Sequence, residues 1–176
     1  MPVDTVTRHP AKSYAFSKAA SDLLKLVEAL SLKPYDDQTR QGISGWVPGA
    51  TIGYGHLITK EQWANYANGF AQDQAEALLV HDLAPSMTAV QNTILAPVSQ
   101  NEFDAMIILT FNIGATGFAS SSVAKLINDP QARTAYADLE GAWKSWDKSQ
   151  GKVMAGLDKR RQAEWNIYAS GIYKQW

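Results

Sequence analysis

Glycine clusters in one part of this chain, and that clustering constrains the fold more than any other feature. Five of the 12 glycines lie between residues 42 and 55, among large apolar residues such as Trp46, Ile52 and Tyr54. Glycine is costly inside helices and favoured in turns, so residues 35–56 predict short strands joined by tight turns. We expect this segment to hold the only β structure of the chain.

Apolar residues recur at helical spacing on both sides of the glycine-rich segment. Before it, the apolar positions 23, 26, 27 and 30 predict a short amphipathic helix that ends before Pro34. After it, helices are predicted over residues 59–68, 73–93, 99–113, 119–128, 132–146 and 155–170. Three of them begin with a capping-box pattern or a close acidic variant, in which side chains satisfy the first amides of the helix. These patterns are "TKEQ" at residue 59, "DQAE" at residue 73 and "SQNE" at residue 99.

Composition and charge exclude several classes of function. A formal net charge of −1 gives no basic surface for nucleic acid, and the absence of cysteine excludes disulfides and thiol catalysis. The three histidines lack ligand spacing, so we expect no metal and no other cofactor.

No apolar run reaches the roughly 20 residues of a membrane span, and no signal peptide is recognisable at the N-terminus. Residues 1–17 are predicted to be a polar extension that precedes a domain over residues 18–176.

Carboxylates are the remaining candidates for chemistry. Cleavage of a glycosidic bond needs one acid to protonate the leaving oxygen and a second carboxylate to activate water or stabilise the cationic sugar. Glu28, at the end of the predicted helix, and the pair Asp36 and Asp37 in the following polar stretch provide this arrangement in outline. Most such pairs are solvated surface groups, so the spacing alone leaves both interpretations open.

The order of the motifs resembles that of the phage-type (T4-like) lysozymes, glycoside hydrolase family 24. "LKPYDD" is similar to the family's "LxxYxD" step, and "TIGYGHLIT" is similar to its glycine hairpin. "FDAMIILTFNIGATGFASSSVAKLIN" resembles its central buried helix, and "GLDKRRQAEWNIYASG" resembles its C-terminal helix. The resemblance implies a mainly α, α+β lysozyme-like fold, in which an active cleft lies between a small β-hairpin lobe and a larger helical lobe.

The resemblance also implies roles for individual residues. Glu28 would be the general acid, Asp37 its partner carboxylate, and Thr51 the residue that holds the attacking water. Asp36 stands one position away, and a shift of one residue in register would exchange it with Asp37. The residues implied to line the sugar cleft are Leu57, Phe111, Asn112 and Ser121, and the residue implied to pair with the acid is Arg160.

Two features depart from the family pattern. Ala29 follows Glu28 where the family commonly has glycine, and we expect ordinary helical backbone there. Thirteen residues separate Asp37 from Thr51, which is more than the family usually has. This stretch must lengthen the hairpin or loop out, and Trp46 within it is a candidate for stacking on a sugar.

Several other residues favour structural roles. His56 is predicted to pair with an acid of a neighbouring helix, and the serines at 120–122 are better explained by a helix cap than by a nucleophile. Arg161 is predicted to lie on a solvated basic face. The tryptophans on apolar helical stripes are predicted to belong to the core, and these are Trp143, Trp146 and Trp165.

The implied reaction is hydrolysis of the β-1,4 bond between N-acetylmuramic acid and N-acetylglucosamine in bacterial peptidoglycan. Inversion is favoured, which requires carboxyl groups roughly 6.5–9.5 Å apart, whereas a separation near 5 Å would indicate retention. Reducing-end muramic acid among the products would indicate a muramidase, and anhydro-muramic ends a lytic transglycosylase.

The implied biology is that of an endolysin, a monomer whose partners are peptidoglycan glycan strands. Such an enzyme would be made in the host cytoplasm without a signal peptide and would reach the periplasm through a holin or another assisted release. Two alternatives stay open at this point. One is an antibacterial toxin domain with the same chemistry that a bacterial secretion system delivers, and the other is a non-catalytic wall-binding module on the same fold.

Overall fold

The computed structural model of the protein describes residues 6–149 and 151–176. The chain divides into two compact units, one formed by Leu24–Ala84 and the other by Met1–Leu23 together with Pro85–Trp176. Helices make up most of the regular structure and every strand is short, which confirms the predicted mainly α class. No helix within the described residues combines the length and the apolar character that a membrane span requires.

The unit formed by Leu24–Ala84 is built around a three-stranded antiparallel sheet with the order β1-β2-β3. The preceding helix ends at Glu28, although the apolar pattern continues to Leu30, and the sheet begins at Ser31. The elements in chain order are α1 (Lys18–Glu28), β1 (Ser31–Asp36), β2 (Ala50–Gly53), β3 (His56–Leu57), α2 (Trp63–Tyr66) and the first part of α3 (Gln72–Thr93).

The glycine hairpin forms the tight turn that its sequence predicted. Only Tyr54 and Gly55 separate β2 from β3, and the backbone adopts positive φ angles of 67° at Gly53 and 93° at Gly55. Residues with a Cβ rarely adopt this region, whereas glycine enters it at little cost. A Cβ on Gly53 would also lie 3.3 Å from the ring of Phe70, so glycine provides both the turn and the close packing.

The stretch between β1 and β2 neither extends the strands nor loops out freely. It forms a turn after Asp36 and an isolated bridge between Tyr35 and Gly42. Its apolar side chains then pack against a buried cluster of Ala50, Ile52 and Ile58. The apolar residues of the stretch that make this contact are Ile43, Trp46 and Val47.

The other unit contains the long buried helix and the C-terminal helix. Its elements after α3 are α4 (Gln100–Ile113), α5 (Ala115–Ala119), α6 (Ser122–Asn128), α7 (Leu139–Lys144), β4 (Lys148–Ser149), β5 (Lys152–Val153) and α8 (Ala155–Ser170). α4 begins with the predicted capping box, because the Ser99 side chain accepts from the Glu102 amide and the Glu102 carboxylate accepts from the Ser99 amide. α4 and α8 pack against each other over a large part of their length.

Several expectations about secondary structure were wrong. A second antiparallel pair, β4 and β5, lies outside the glycine-rich segment and pairs Lys148 with Val153. The helix predicted over 59–68 shrinks to one turn, the one over 119–128 begins only at Ser122, and the one over 132–146 is limited to Leu139–Lys144. The short helix α5, which precedes Ser122, was not predicted. The helix propensities of the residues could not reveal these shorter bounds, because tertiary packing decides where short helices begin and end.

The "DQAE" pattern does not form the predicted cap. α3 begins at Gln72, one residue earlier than expected, so Asp73 lies inside the first turn. The residue that reaches back is Gln74, whose side-chain oxygen accepts from the Ala71 amide at 2.9 Å. The "TKEQ" pattern does form reciprocal hydrogen bonds between Thr59 and Gln62, just before α2.

The described part of the predicted N-terminal extension, residues 6–17, packs against the helical unit. His9 forms an isolated bridge with Val98, Arg8 pairs with Glu102, and the Tyr14 hydroxyl donates to the Val98 carbonyl at 2.9 Å. Residues 1–5 lie outside the described part of the chain. The predicted domain boundary at residue 18 stays a prediction.

Candidate active site

Glu28 is the last residue of α1, and the chain turns sharply after it. Ala29 adopts a positive φ of 55°, so the expected helical backbone at this position is wrong. A Cβ built on Gly55 would lie 3.8 Å from Oε2 of Glu28, which places the turn of the glycine hairpin beside the carboxylate. Alanine carries a backbone strain at this φ that glycine would avoid.

Thr51 occupies the middle of the sheet, on the face opposite the buried cluster. It pairs directly with Tyr35 on β1 and with Leu57 on β3, and paired residues project their side chains from the same face. Thr51 is only 4% exposed, and its hydroxyl donates to the Gly49 carbonyl at 2.9 Å. The lone pairs of its oxygen therefore stay available to accept a hydrogen bond.

Strand alternation distinguishes the two neighbouring aspartates. Asp36 pairs with Ala50, whose side chain belongs to the buried cluster on the other face. The Asp37 amide donates to the Gly49 carbonyl at 3.0 Å, so pairing continues one residue beyond β1 and alternation puts Asp37 on the face of Thr51.

The side-chain contacts of the two aspartates separate them in the same way. The Asp36 carboxylate accepts from the Gln38 amide at 2.9 Å and from the Thr39 hydroxyl at 3.0 Å, so both of its oxygens hold the turn. The Asp37 side chain is 62% exposed and contacts Arg40 at 3.3 Å. The choice of Asp37 over Asp36 as the partner carboxylate stays a prediction.

Leu57 and Trp46 have different surroundings. Leu57 is 61% exposed and shares the face of Thr51. Trp46 is half-buried, packs against the cluster of Ala50, Ile52 and Ile58, and donates its indole N–H to the Ile58 carbonyl at 2.9 Å. The structure gives Trp46 a packing role, and its contact with a sugar stays a prediction.

His56 pairs with an acid of a neighbouring helix, as predicted. Its Nδ1 lies 2.9 Å from Oδ2 of Asp82 on α3, and the ring contacts Tyr66. The sequence pattern identified the histidine but not its partner, because nothing local marks Asp82 as the residue that α3 turns toward the sheet.

The remaining predicted site residues lie in the helical unit. Phe111 and Asn112 stand near the end of α4, where Phe111 is half-buried and Asn112 is exposed. Ser121 is 5% exposed and caps α6, with its hydroxyl oxygen accepting from the Ala124 amide at 3.0 Å. The cap predicted for the serine run is confirmed, while a contact between Ser121 and a sugar stays a prediction.

Arg160 and Arg161 belong to a buried charged network, so the solvated face predicted for Arg161 is wrong. Arg161 and Glu164 are both 0% exposed, and Arg161 Nη2 donates to Oε1 of Glu164 at 2.8 Å. Arg160 Nε donates to the same oxygen at 3.1 Å, and the guanidinium of Arg160 stacks on the Trp176 ring. Trp143, which is fully buried as predicted, donates its indole N–H to Oε2 of Glu164.

Burial dominates the protonation equilibria of this network. It raises the pKa of the Glu164 carboxyl, against the opposing charges of Arg161 and Arg160. Burial also lowers the pKa of the Arg161 guanidinium from its ordinary value, against the attraction of Glu164. Three donors converge on one carboxylate here, which is how a protein retains charges that have lost their water.

Comparison with known proteins places this geometry in a family. The model of the "Phage lysozyme" family matches residues 25–164. The chain belongs to the phage lysozyme family. The matched residues include Glu28, the glycine hairpin and Glu164, which confirms the resemblance drawn from the motifs.

Individual phage lysozymes support the assignment over most of the chain. An endolysin of Acyrthosiphon pisum secondary endosymbiont phage 1 is 39% identical over 153 residues, covering 84% of this chain and 93% of the relative. The endolysin from Escherichia coli O157:H7 phage FAHEc1 matches in structure with a TM-score of 0.75 and 29% identity, over 92% of this chain and 98% of that one. An endolysin of Bacillus phage PZA is 34% identical over 90% of this chain, which spans only 56% of that relative's length.

Some residues that contact the predicted site residues of this phage lysozyme were not identified from the sequence. Arg40, which contacts Asp37 and stacks over the Tyr35 ring at 4.8 Å, lies in the stretch that departs from the family pattern. Glu164 could have been identified, because it stands three and four residues after Arg161 and Arg160, a spacing at which ion pairs form on a helix. No group of three or more His, Asp or Glu side chains within the described residues is arranged to hold a metal ion.

Proposed function

We propose that this phage lysozyme is a muramidase of the endolysin type, which hydrolyses the β-1,4 bond between N-acetylmuramic acid and N-acetylglucosamine. The observation that carries the proposal is the arrangement within Leu24–Ala84. Asp37 and Thr51 share one face of the sheet, and the glycine turn beside them lies next to the Glu28 carboxylate. This provides an acid, a second carboxylate and a polar oxygen for water, which are the parts that glycoside hydrolysis requires.

Glu28 is the proposed general acid. Its carboxyl proton would pass to the glycosidic oxygen as the bond to the anomeric carbon breaks, so that the leaving sugar departs as a neutral alcohol. The turn at Ala29 and the close approach of Gly55 hold the side chain at the end of α1.

Thr51 and Asp37 are the proposed water site. The Thr51 hydroxyl already donates to the Gly49 carbonyl, so its oxygen can only accept a hydrogen from water. An accepted hydrogen directs a lone pair of the water away from Thr51, and Asp37, as the general base, would take the second proton during attack. Water attack on the face opposite the leaving group inverts the anomeric carbon, and this is the outcome we propose.

The remaining assignments extend this proposal to the substrate and the cell. Leu57, exposed on the face of Thr51, would contact a sugar ring. The roles of Trp46, Phe111, Asn112, Ser121 and Arg160 follow the family resemblance and stay predictions. We also propose that the enzyme acts as a monomer on glycan strands and reaches the wall by assisted release from the host.

The test is Glu28→Gln, which keeps the shape of the side chain but has no proton to donate. Purified peptidoglycan is digested with wild type and variant, and the fragments are analysed by mass spectrometry. We expect wild type to release reducing-end muramic acid and the variant to lose at least about 100-fold in rate. Glu61→Gln, at an exposed glutamate of the same unit, is the matched control and keeps full activity.

The other outcomes separate the alternatives. Anhydro-muramic ends would replace the hydrolase with a lytic transglycosylase, in which Asp37 has no water to activate. A wild type that binds the wall but releases no fragments would instead be a wall-binding module. Equal rates for wild type and Glu28→Gln would remove Glu28 from the mechanism.

A further inference from the structure

A cleft beside β1 lies wholly within the Leu24–Ala84 unit and carries two positive charges. Lys33 and Arg40 line it together with apolar surface from Leu30 and Pro34, and no aspartate or glutamate is among the described residues that line it. Its volume is about 250 Å³, which is below the roughly 300–1,000 Å³ of most sites that enclose a small molecule. The cleft therefore fits one charged group of a larger substrate better than a whole ligand.

The turn after Asp36 places the Arg40 guanidinium over β1. The Arg40 amide donates to the Asp36 carbonyl at 2.7 Å, and Arg40 adopts a φ of 61°, which residues with a Cβ rarely do. Its guanidinium lies 4.8 Å from the centre of the Tyr35 ring, and Nη1 lies 3.3 Å from Oδ1 of Asp37. The exposed side chain is therefore held by two contacts instead of extending freely into solvent.

Most hydrogen-bond donors of the two cations are left for a ligand. A guanidinium has five N–H donors, and within residues 6–149 and 151–176 the Arg40 side chain donates from Nη1 alone. The Lys33 ammonium has no ion pair or hydrogen bond in the same part of the chain. Asp37 offsets one of the two positive charges, and the end of α1 adds a partial negative charge of only about one half. The cleft thus keeps a net positive charge.

The cleft adjoins the proposed water site. Tyr35, which also lines the cleft, pairs with Thr51 across the sheet, so its ring lies on the face that carries Thr51 and Asp37. Arg40 contacts both Tyr35 and Asp37, and one guanidinium therefore connects the cleft with the proposed general base. A glycan held at the water site would have its substituents within reach of the cleft.

We propose that this cleft binds a carboxylate of the peptide stems of peptidoglycan, with Arg40 and Lys33 as the donors. The inference rests on the proposed muramidase function, because the stems are attached to the N-acetylmuramic acid whose bond would be cleaved. The stems are acidic peptides, and the planar fork of a guanidinium matches the two oxygens of a carboxylate. Arg40 lies in the stretch that departs from the family pattern, so the family resemblance does not assign this cleft.

The first test measures binding without turnover. The probe is the disaccharide tetrapeptide N-acetylglucosaminyl-N-acetylmuramyl-tetrapeptide, which lacks the bond that the proposed reaction cleaves. It is titrated into nitrogen-15-labelled protein and compared with the same compound after its carboxylates are converted to carboxamides. We expect wild type to bind the acidic form roughly 3- to 30-fold more tightly, as for two partly exposed ion pairs.

The variants show whether the two cations cause this preference. Lys33→Gln and Arg40→Gln should each weaken binding of the acidic form by roughly 2- to 5-fold and leave binding of the carboxamide form unchanged. Lys60→Gln, at an exposed lysine of the same unit, is the matched control for lost charge and binds both forms like wild type. Equal affinity of wild type for the two forms, or equal losses in all three variants, overturns the proposal.

A peptide-free disaccharide identifies the source of the carboxylate. Its muramic acid carries a free carboxylate of its own, so binding that depends on Lys33 and Arg40 as strongly as binding of the tetrapeptide form would move recognition from the stem to the sugar and overturn the proposal. We expect this disaccharide to bind the two variants and wild type equally.

The second test measures turnover with Lys33→Gln, because Lys33, unlike Arg40, does not contact the proposed base. On intact peptidoglycan KM should rise roughly 2- to 5-fold with kcat within about twofold, and on glycan stripped of its stems with an amidase the KM ratio to wild type should be about one. The same ratio on both substrates contradicts binding of the stem. Since the titration needs no cleavage, a failure of the muramidase proposal leaves the binding result readable, and the two failures can be told apart.

Discussion

Two carboxylates in this molecule, Asp37 and Glu164, are held in opposite ways. Asp37 lies just after β1 in the Leu24–Ala84 unit, on the face of the sheet that carries Thr51. Its side chain is 62% exposed and contacts Arg40 at 3.3 Å. Glu164 lies in the helical unit, fully buried, and accepts from Arg160, Arg161 and Trp143. The carboxylate that we propose to activate water is accessible, whereas the buried one is surrounded by donors from α7 and α8. The comparison predicts that Asp37 matters for rate and Glu164 for stability.

The largest expected effect separates the two neighbouring aspartates. Asp37→Asn should lower the rate of peptidoglycan hydrolysis by about 100- to 10,000-fold, because the amide cannot take a proton from the attacking water. Asp36→Asn should stay within about threefold of wild type, because an amide oxygen can still accept from the Gln38 amide. The rate at which reducing ends are released from peptidoglycan measures the activity of both variants. The reverse ranking would transfer the catalytic role to Asp36.

The next effect concerns the buried carboxylate. Glu164→Gln should lower the free energy of unfolding by about 3 to 5 kcal/mol, because it removes the fully buried negative charge that accepts hydrogen bonds from both Arg160 and Arg161. Its control is Glu140→Gln, which breaks the partly exposed pair with Lys144 and should cost less than about 1 kcal/mol. Urea denaturation measures the free energy of unfolding of both variants and of wild type. Equal losses would show that the buried network contributes no more than a surface ion pair.

A smaller effect depends on pH. The Tyr173 hydroxyl donates to the buried Asp104 at 2.6 Å, and burial, together with this contact, raises the pKa of Tyr173. The stability linked to a raised pKa is complete below tyrosine's ordinary value of about 10 and is lost as the pH rises toward the folded-state value. Tyr173→Phe should cost about 1.5 to 3 kcal/mol at pH 7 and less in strongly alkaline solution. A cost that grew with pH would contradict this assignment.

The smallest effect concerns the residue after the acid. Ala29→Gly should raise the free energy of unfolding by about 0.5 to 1 kcal/mol, because glycine adopts the positive φ of 55° without strain. Ala19→Gly, at an exposed position in the first turn of α1, is the control and should lower the free energy of unfolding by less than about 1 kcal/mol. Thermal unfolding of both variants shows whether each substitution raises or lowers the stability. A loss at Ala29 would mean that no relievable strain exists there.

Local chemistry explains which parts of the structure were predictable. The Ser99 capping box and the glycine turn depend on neighbours within a few residues, and both have the predicted form. The second strand pair, the left-handed Ala29 and the burial of Arg161 were not predicted, because each depends on residues distant in sequence or on the path of the chain. The Arg161 error shows the limit most clearly, since a run of charges favours solvent unless partners elsewhere cover it.

The amino-acid sequence by itself determined the helical class, the position of the hairpin and the family, because spacing and glycine placement act through local backbone preferences. The tertiary structure alone decided which neighbours surround each aspartate and that Arg160 and Arg161 are both buried. Those choices depend on strand register and on helix packing, and both are properties of the folded chain as a whole.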